Sequence, residues 1–316
     1  MNITEAKKRF KRVVIWGHRQ PLSWHTHSWV HGAVYKAFTH LGFDTYWHDD
    51  DERDAVGLNN PGSGDTLYWT EGQVDNHIPV RRDCSYILHN CESLKYDGLE
   101  SRTLRLQVFV SDIKSRLVPP HARDSVTMIK PFHYTADIDG QRWLYQPWAT
   151  DLLPHEINLE LARHPRGKTC DWIGTIGSSS TEFGNSNEID GFKRACSENG
   201  YKFVHHQGQV SNEDNAMIIR ESFLAPTIVG NWQWRKSYLP CRAFKNGSYG
   251  ALIGTNSKQV AEYFEGWAIH EDNTYSLFER MAKRSNDIDF IQGGMRFVQA
   301  NSTYINRIET ILEQIP

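Results

Sequence analysis

Short apolar runs that stop abruptly at glycine or polar residues, each followed by a stretch of helical spacing, constrain this chain more than any other feature. The first, Val13 to Trp16, follows the cationic KKRFKR and ends at Gly17, as a buried parallel strand should end. AVYKAFTHLG then has helical spacing with a stop at Gly42, and FDTYWHDD reads as a second strand closing on acids. A β-loop-α-β unit of this kind implies a parallel sheet, and open α/β sheets bind ligands beyond the carboxyl ends of their strands. TLYWTEG predicts a third strand, SYILHNCE a fourth, RLQVFVSD a fifth ending at Ser111 and Asp112, and MIKPFHY a short sixth or an edge segment. Further on, TCDWI, YKFVHH and the end of SNEDNAMIIRESFLAPTIVG alternate with helical patterns, so both halves are predicted to be α/β. MRFVQANSTYINRIETILEQIP has the spacing of one long terminal helix.

At 316 residues the chain favours two domains over one. The basic, Pro/Gly-bearing LARHPRGK, after the proline-punctuated WLYQPWATDLLP, places the boundary between about Asp151 and Lys168. A net charge of -3 argues against a non-specific nucleic-acid binder, which needs a cationic surface to release counterions. The five cysteines are widely spaced with no C-x-x-C pair and read as reduced thiols, which points to the cytoplasm. No apolar run approaches the length of a membrane span. No G-x-G-x-x-G follows any strand of the first half, so a dinucleotide site is not expected there.

The loop HRQPLSWHTHSWVHG carries His18, His25, His27 and His31 at the end of the first strand. His25 and His27 could chelate, but no carboxylate or cysteine stands at ligand spacing, and the pair lacks the i, i+4 separation of helical zinc motifs. No metal is therefore expected. The histidines read either as hydrogen-bonded loop residues or as groups that bind an acceptor or take a proton, His31 among them. Glu71, at the tip of the third strand, is a candidate base or a cap of the following turn, and the apolar TLYW before it is expected to raise its pKa. Asp112 is a further candidate base.

The stretch from Ser237 to Phe264 speaks most directly of function. It predicts a helix bearing Arg242, Lys245 and Asn246, then Gly247 and Gly250 around Ser248 and Tyr249. A short strand from Ala251 to Ile253 follows, then a loop of Gly254, Thr255 and Asn256 and a second helix from about Ser257. Two cations beside glycines that let backbone approach a ligand suit a diphosphate.

The pattern R-x-F-K-N-x-x-Y-G-A-L-x-G-T-N, with E-Y-F soon after, resembles the C-terminal nucleotide-sugar domain of GT-B glycosyltransferases, in particular those with a family-1-like C-terminal half. The resemblance spans most of residues 170 to 282 and the first half only loosely. Lys245 stands where that group often has an acid, and a lysine cannot accept hydrogen bonds from sugar or ribose hydroxyls. The resemblance implies an α/β chain of two Rossmann-like domains facing a central cleft. Residues 1–155 would form the acceptor side, 165–295 the nucleotide-sugar domain, and 296–316 a helix packing back on the first domain. It also implies donor contacts from Gly174, Thr175 and Gly177 in the loop GTIGSSS, joined by Arg242, Lys245, Asn246, Ser248, Tyr249, Thr255 and Asn256.

The implied activity is metal-independent transfer of a sugar from a nucleotide-diphosphate donor to a hydroxyl acceptor such as a glycan, with Glu71, His31 or Asp112 as base and no cofactor beyond the nucleotide sugar. The eleven tryptophans read either as platforms for sugar rings or as core filler. Two other readings stay open, a GT-B-like protein that binds a sugar nucleotide or glycan without transferring it and a sugar-nucleotide epimerase.

Overall fold

The computed structural model describes residues 1–19, 26–50, 64–72, 74–91, 93–109, 126–208 and 210–316. The chain divides into two compact units, Met1–Gln146 together with Tyr304–Pro316, and Pro147–Thr303.

The first unit begins with helix α1 (Ile3–Arg9), closed at its start by a capping box between Asn2 and Glu5. Strand β1 (Arg12–Trp16), helix α2 (Thr26–His40) and strand β2 (Asp44–His48) form the expected β-loop-α-β unit. Strands β3 (Thr66–Glu71), β4 (Ser85–His89), β5 (Thr103–Gln107), β6 (Thr127–Lys130), β7 (His133–Ile138) and β8 (Gln141–Tyr145) follow. The sheet runs in the order β2-β1-β3-β4-β5-β8-β7-β6, parallel from β2 through β8 and antiparallel for the last pairs. Every residue of β3 and β4 is buried, as the central strands of a parallel sheet require.

Two departures from the predicted strands have local causes. β5 stops at Gln107 because the Gln107 Oε1 accepts from the amides of Val108 and Phe109, at 2.7 and 3.3 Å, and turns the chain out of the ladder. Ser111 and Asp112, predicted at its tip, lie outside the described residues. The segment MIKPFHY, expected as one strand, is the first turn of a meander instead, and its second turn is the Asp139-Gly140 hairpin with φ of 51° and 80°. Two positive φ values in succession are what a tight type I′ turn needs, and Asp-Gly supplies them.

The second unit contains β9 (Thr169–Ile173), α3 (Ser186–Glu198), β10 (Lys202–His206), α4 (Asn212–Glu221), α5 (Asn231–Arg235), α6 (Cys241–Ser248), β11 (Gly254–Thr255), α7 (Lys258–Tyr263), β12 (Ile269–His270), α8 (Thr274–Lys283) and α9 (Ile288–Asn301). β10 pairs with β9 and β11 with β12, all parallel. Parallel bridges from Leu224 to Cys170 and from Thr227 to Thr255 join the two pairs through the segment 224–227. The resulting order, β10, β9, 224–227, β11, β12, matches that of the first five strands of the other unit.

The predicted strand over Ala251–Ile253 is displaced to β11. The Ala251 amide donates to the Asn246 carbonyl at 2.9 Å and the Gly250 amide to Gly247, a Schellman ending for α6 with Gly250 at φ 87°. The chain leaves the helix still tied to it, and ladder pairing starts only at Gly254. Gly250 thus ends a helix, and Gly247 lets Ile253 and Val298 pack close, since a Cβ there would lie 2.9 Å from both. The single terminal helix is likewise broken. α9 stops at Asn301, the Ser302 carbonyl accepts from the Thr150 amide at 2.9 Å, and α10 (Tyr304–Gln314) belongs to the first unit.

Gly254 sits on a strand where a Cβ would fall 2.1 Å from Sδ of the fully buried Met281. Overpacking of a closed core typically costs ~1–3 kcal/mol. Gly254→Ala should lower the unfolding free energy by an amount in that range, read by circular dichroism as a lower urea midpoint with an unchanged slope.

Candidate functional site

In each unit the strand order reverses between its first and third strands, and this is where open α/β sheets hold ligands. In the first unit that point lies between β1 and β3. Thr70 is level with Trp16 across that pair, and Glu71 pairs with His89 across β3 and β4. The two strand tips therefore set a carboxylate beside an imidazole. α2 contributes His27 and His31 from its start, one helical turn apart and on one face.

His27 Nδ1 hydrogen-bonds Glu71 Oε1, and His31 Nε2 stands 3.4 Å from Glu71 Oε2. The His27 and His89 rings meet edge-on at 5.3 Å, and His18 lies parallel to His31 at 6.5 Å. Glu71, His31 and His89 have no exposure at all. Gly17 is what lets His31 in, because a Cβ at that position would lie 2.2 Å from His31 Cε1.

Burial is the largest influence on the Glu71 carboxyl and acts to raise its pKa. The hydrogen bond from His27 and the charges of His27, His89 and His31 together outweigh it and bring the group down to about 2. The expectation of a raised pKa is thus reversed, since burial does push the Glu71 carboxyl up, but the hydrogen bond from His27 and the charge that the histidines take up at low pH outweigh it. Burial lowers His31 to about 4, against a partial pull upward from Glu71, and lowers His89 to about 3. Both imidazoles are neutral at pH 7.

The structure thus unites Glu71 with His31 from the predicted catalytic set and adds His27 and His89, while Asp112 lies outside the described residues. Part of this was visible in the sequence. His27 and His31 have the i, i+4 spacing that His25 and His27 lack, and α2 starts earlier than the AVYKAF pattern suggests. The approach of Glu71 and His89 to them comes from strand pairing and leaves no trace in local spacing.

In the second unit the reversal lies between β9 and the segment 224–227. Gly174, just beyond β9, has φ of 125°, and a Cβ there would stand 2.6 Å from Arg242 Nη2. The Arg242 guanidinium lies over the Trp172 ring at 3.5 Å from its centroid, a cation–π contact. Burial lowers its pKa to about 10, so it keeps its charge at neutral pH. Its Nη1 is buried and meets no hydrogen-bond partner among the described residues.

Lys245 follows one turn later on α6 and is buried. The Gly174 carbonyl is held by His205 Nε2 at 2.7 Å, and Thr175 is exposed. The Gly177 amide donates to Asn185 Oδ1 at 3.0 Å, while its carbonyl accepts from the amides of Asn185 and Ser186, closing the glycine/serine loop on the start of α3.

The remaining predicted donor residues hold backbone or side chains of their own unit. Asn246 donates to the Ala225 carbonyl, Ser248 meets the Thr150 hydroxyl at 2.6 Å, and the Tyr249 hydroxyl donates to Asp151 at 2.6 Å. Thr255 Oγ1 accepts from the Ser257 amide, and Asn256 grips both the amide and the carbonyl of Val229, at 2.8 and 3.0 Å. Gly174 and Arg242 are the predicted donor residues that the fold brings into direct apposition.

Two α/β units with this strand order, in one chain, have the GT-B fold, and comparison with solved structures agrees. The UDP-forming alpha,alpha-trehalose-phosphate synthase from Burkholderia xenovorans, in complex with glucose-6-phosphate, superposes with a TM-score of 0.59 at 11% identity, over 96% of this chain and 100% of that one. An alpha-glucosyltransferase in complex with UDP and a 13-mer DNA gives 0.55 at 10% identity, over 97% and 99%. The N-terminal domain of trehalose-6-phosphate phosphatase from Candida albicans gives 0.55 at 9%, over 96% of each chain. No protein-family model and no curated sequence matches the chain. Among the described residues no helix is long and apolar enough to cross a membrane.

The histidine pKa values set a pH window. Unfolded histidine takes up a proton near pH 6.5, whereas His31 and His89 resist until about 4 and 3. Between these values the unfolded chain binds more protons, so stability falls as pH is lowered from 6.5. Glu71 adds to the loss only between its ordinary 4.5 and about 2. The melting temperature of the wild type should fall between pH 6.5 and 4, and His89→Gln, which removes one titrating group, should flatten that slope.

Proposed function

We propose that this chain is a glycosyltransferase that moves a sugar from a nucleotide-diphosphate donor to a hydroxyl acceptor, with the donor diphosphate held at Arg242. The carrying observation is the buried Nη1 of Arg242, a charged donor without a partner among the described residues, at the strand end where a GT-B sheet takes its nucleotide. In glycosyl transfer the bond from the anomeric carbon to the diphosphate oxygen breaks, and negative charge collects on the leaving group. A fixed cation that meets this charge in a desolvated place stabilises the transition state more than the ground state. Arg242 is suited to this because Trp172 holds its plane and Gly174 leaves its edge uncovered. Lys245, on the same helix, supplies a second positive charge as a point contact. Positive charge drawn from the protein itself would let the donor site work without a metal.

Two similar structures, one solved with UDP and one a UDP-forming synthase, make a uridine nucleotide the first donor to try. A carbohydrate hydroxyl is the proposed acceptor. Glu71, without exposure and held to about 2, is not poised to take a proton from a hydroxyl at neutral pH, so no proton step is assigned to it.

Calorimetry with UDP, GDP and dTDP tests the site. Arg242→Lys keeps the charge but loses the planar fork, and should weaken nucleoside-diphosphate binding by ~1–3 kcal/mol, roughly 5- to 150-fold. Equal affinity in wild type and variant would remove Arg242 from the donor site. Slow release of nucleoside diphosphate from a sugar nucleotide by the wild type alone, faster with a hydroxyl acceptor, separates a transferase from a protein that only binds.

A further inference from the structure

The histidine and carboxylate group at the edge of the first unit's sheet has no part in the donor site just described. We propose that His27, Glu71 and His89 form a binding site for a single divalent transition-metal ion, most suitably zinc. One ligand atom from each residue lies within 4.8 Å of the others. Tetrahedral zinc, with bonds of ~2.0–2.2 Å, needs its ligand atoms ~3.4 Å apart, so side-chain rotations of about an ångström close the set.

The backbone beneath is regular secondary structure. Glu71 and His89 end adjacent strands as register partners, and His27 stands in the first turn of a fifteen-residue helix. A site on such elements holds its geometry better than one on loops. Two imidazole nitrogens with one carboxylate oxygen are a zinc-type donor set, whereas magnesium and calcium call for oxygen ligands. Three protein ligands leave a fourth position, and the part-exposed His27, at 18% side-chain exposure, marks the side from which an ion would enter.

The surroundings point the same way. A carboxylate with no exposure is costly unless its charge is met, and here it is ringed by imidazoles, with His18 and His31 beside the three proposed ligands. His31 faces the second carboxylate oxygen at 3.4 Å, the place of an outer partner that orients a ligating carboxylate. Gly17, by admitting the His31 ring, is part of the same construction. The competing account is a pair of the part-exposed His27 with the buried Glu71 that needs no ion.

The full chain without a polyhistidine tag, stripped with chelator, separates these accounts. After incubation with Zn²⁺ and desalting, mass spectrometry for metal should find about one equivalent per chain, with a raised melting temperature. His31→Gln should weaken Zn²⁺ binding ~10- to 100-fold, and His27→Ala or His89→Ala by more. A wild type that retains no stoichiometric zinc would overturn the proposal, as would His27→Ala and His89→Ala proteins that fold by circular dichroism and keep as much zinc as the wild type. Co²⁺ gives a reading independent of any variant's folding. Intense visible bands from a four-coordinate centre support the site, and only the weak spectrum of octahedral Co²⁺ counts against it.

Discussion

Parallel hydrogen bonding among β1, β3 and β4 is the constraint on which the first unit's chemistry rests. In a parallel sheet every strand ends at the same edge, so residues beyond each strand are delivered together whatever their distance along the chain. The register sets Glu71 opposite His89, and the neighbouring β1 is followed by Gly17, which admits His31. An antiparallel neighbour would present its opposite end at that edge and dissolve the group.

Two charges of opposite sign, one fully buried and one partly buried, are met in different ways. Glu71 is surrounded by groups that can carry or share positive charge, and this holds the carboxyl to about 2 despite complete burial. Arg242 has the π-face of Trp172 on one side and a glycine at its edge, and burial brings it to about 10. The two outcomes follow from solvation. Isolating either ion costs several kcal/mol, so a partner must be near, yet a ring face leaves guanidinium N–H groups free to donate where a carboxylate would engage them. Arg242 is therefore suited to an anionic ligand, and Glu71 to cationic neighbours.

Glycines divide along the same line between fold and site. Gly250, in the left-handed region, ends α6 through a Schellman cap, and Gly254 makes room for Met281. Gly17 and Gly174 make room instead for a functional side chain, His31 in one unit and Arg242 in the other. In sequence the four look alike, since each follows an apolar run or closes a helix. What distinguishes them is the neighbour brought close by the fold.

The α/β class and the parallel strands of the first half were determined by the sequence itself, because period-2 and period-3.6 patterns and helix stops arise from contacts between residues near in the chain. The same local rules misplaced what competing hydrogen bonds decide. Gln107 ends β5 with its own side chain, Asn246 delays β11, and the Ser302 carbonyl turns to Thr150 and splits the last helix in two. The Asp139-Gly140 hairpin was legible in principle, since a type I′ turn is chemistry of two adjacent residues. The convergence of His27, His31, Glu71 and His89 was legible only in its helical pair. The tertiary structure alone supplied the rest, because strand register depends on which surfaces are buried together and not on the spacing of the residues that it aligns.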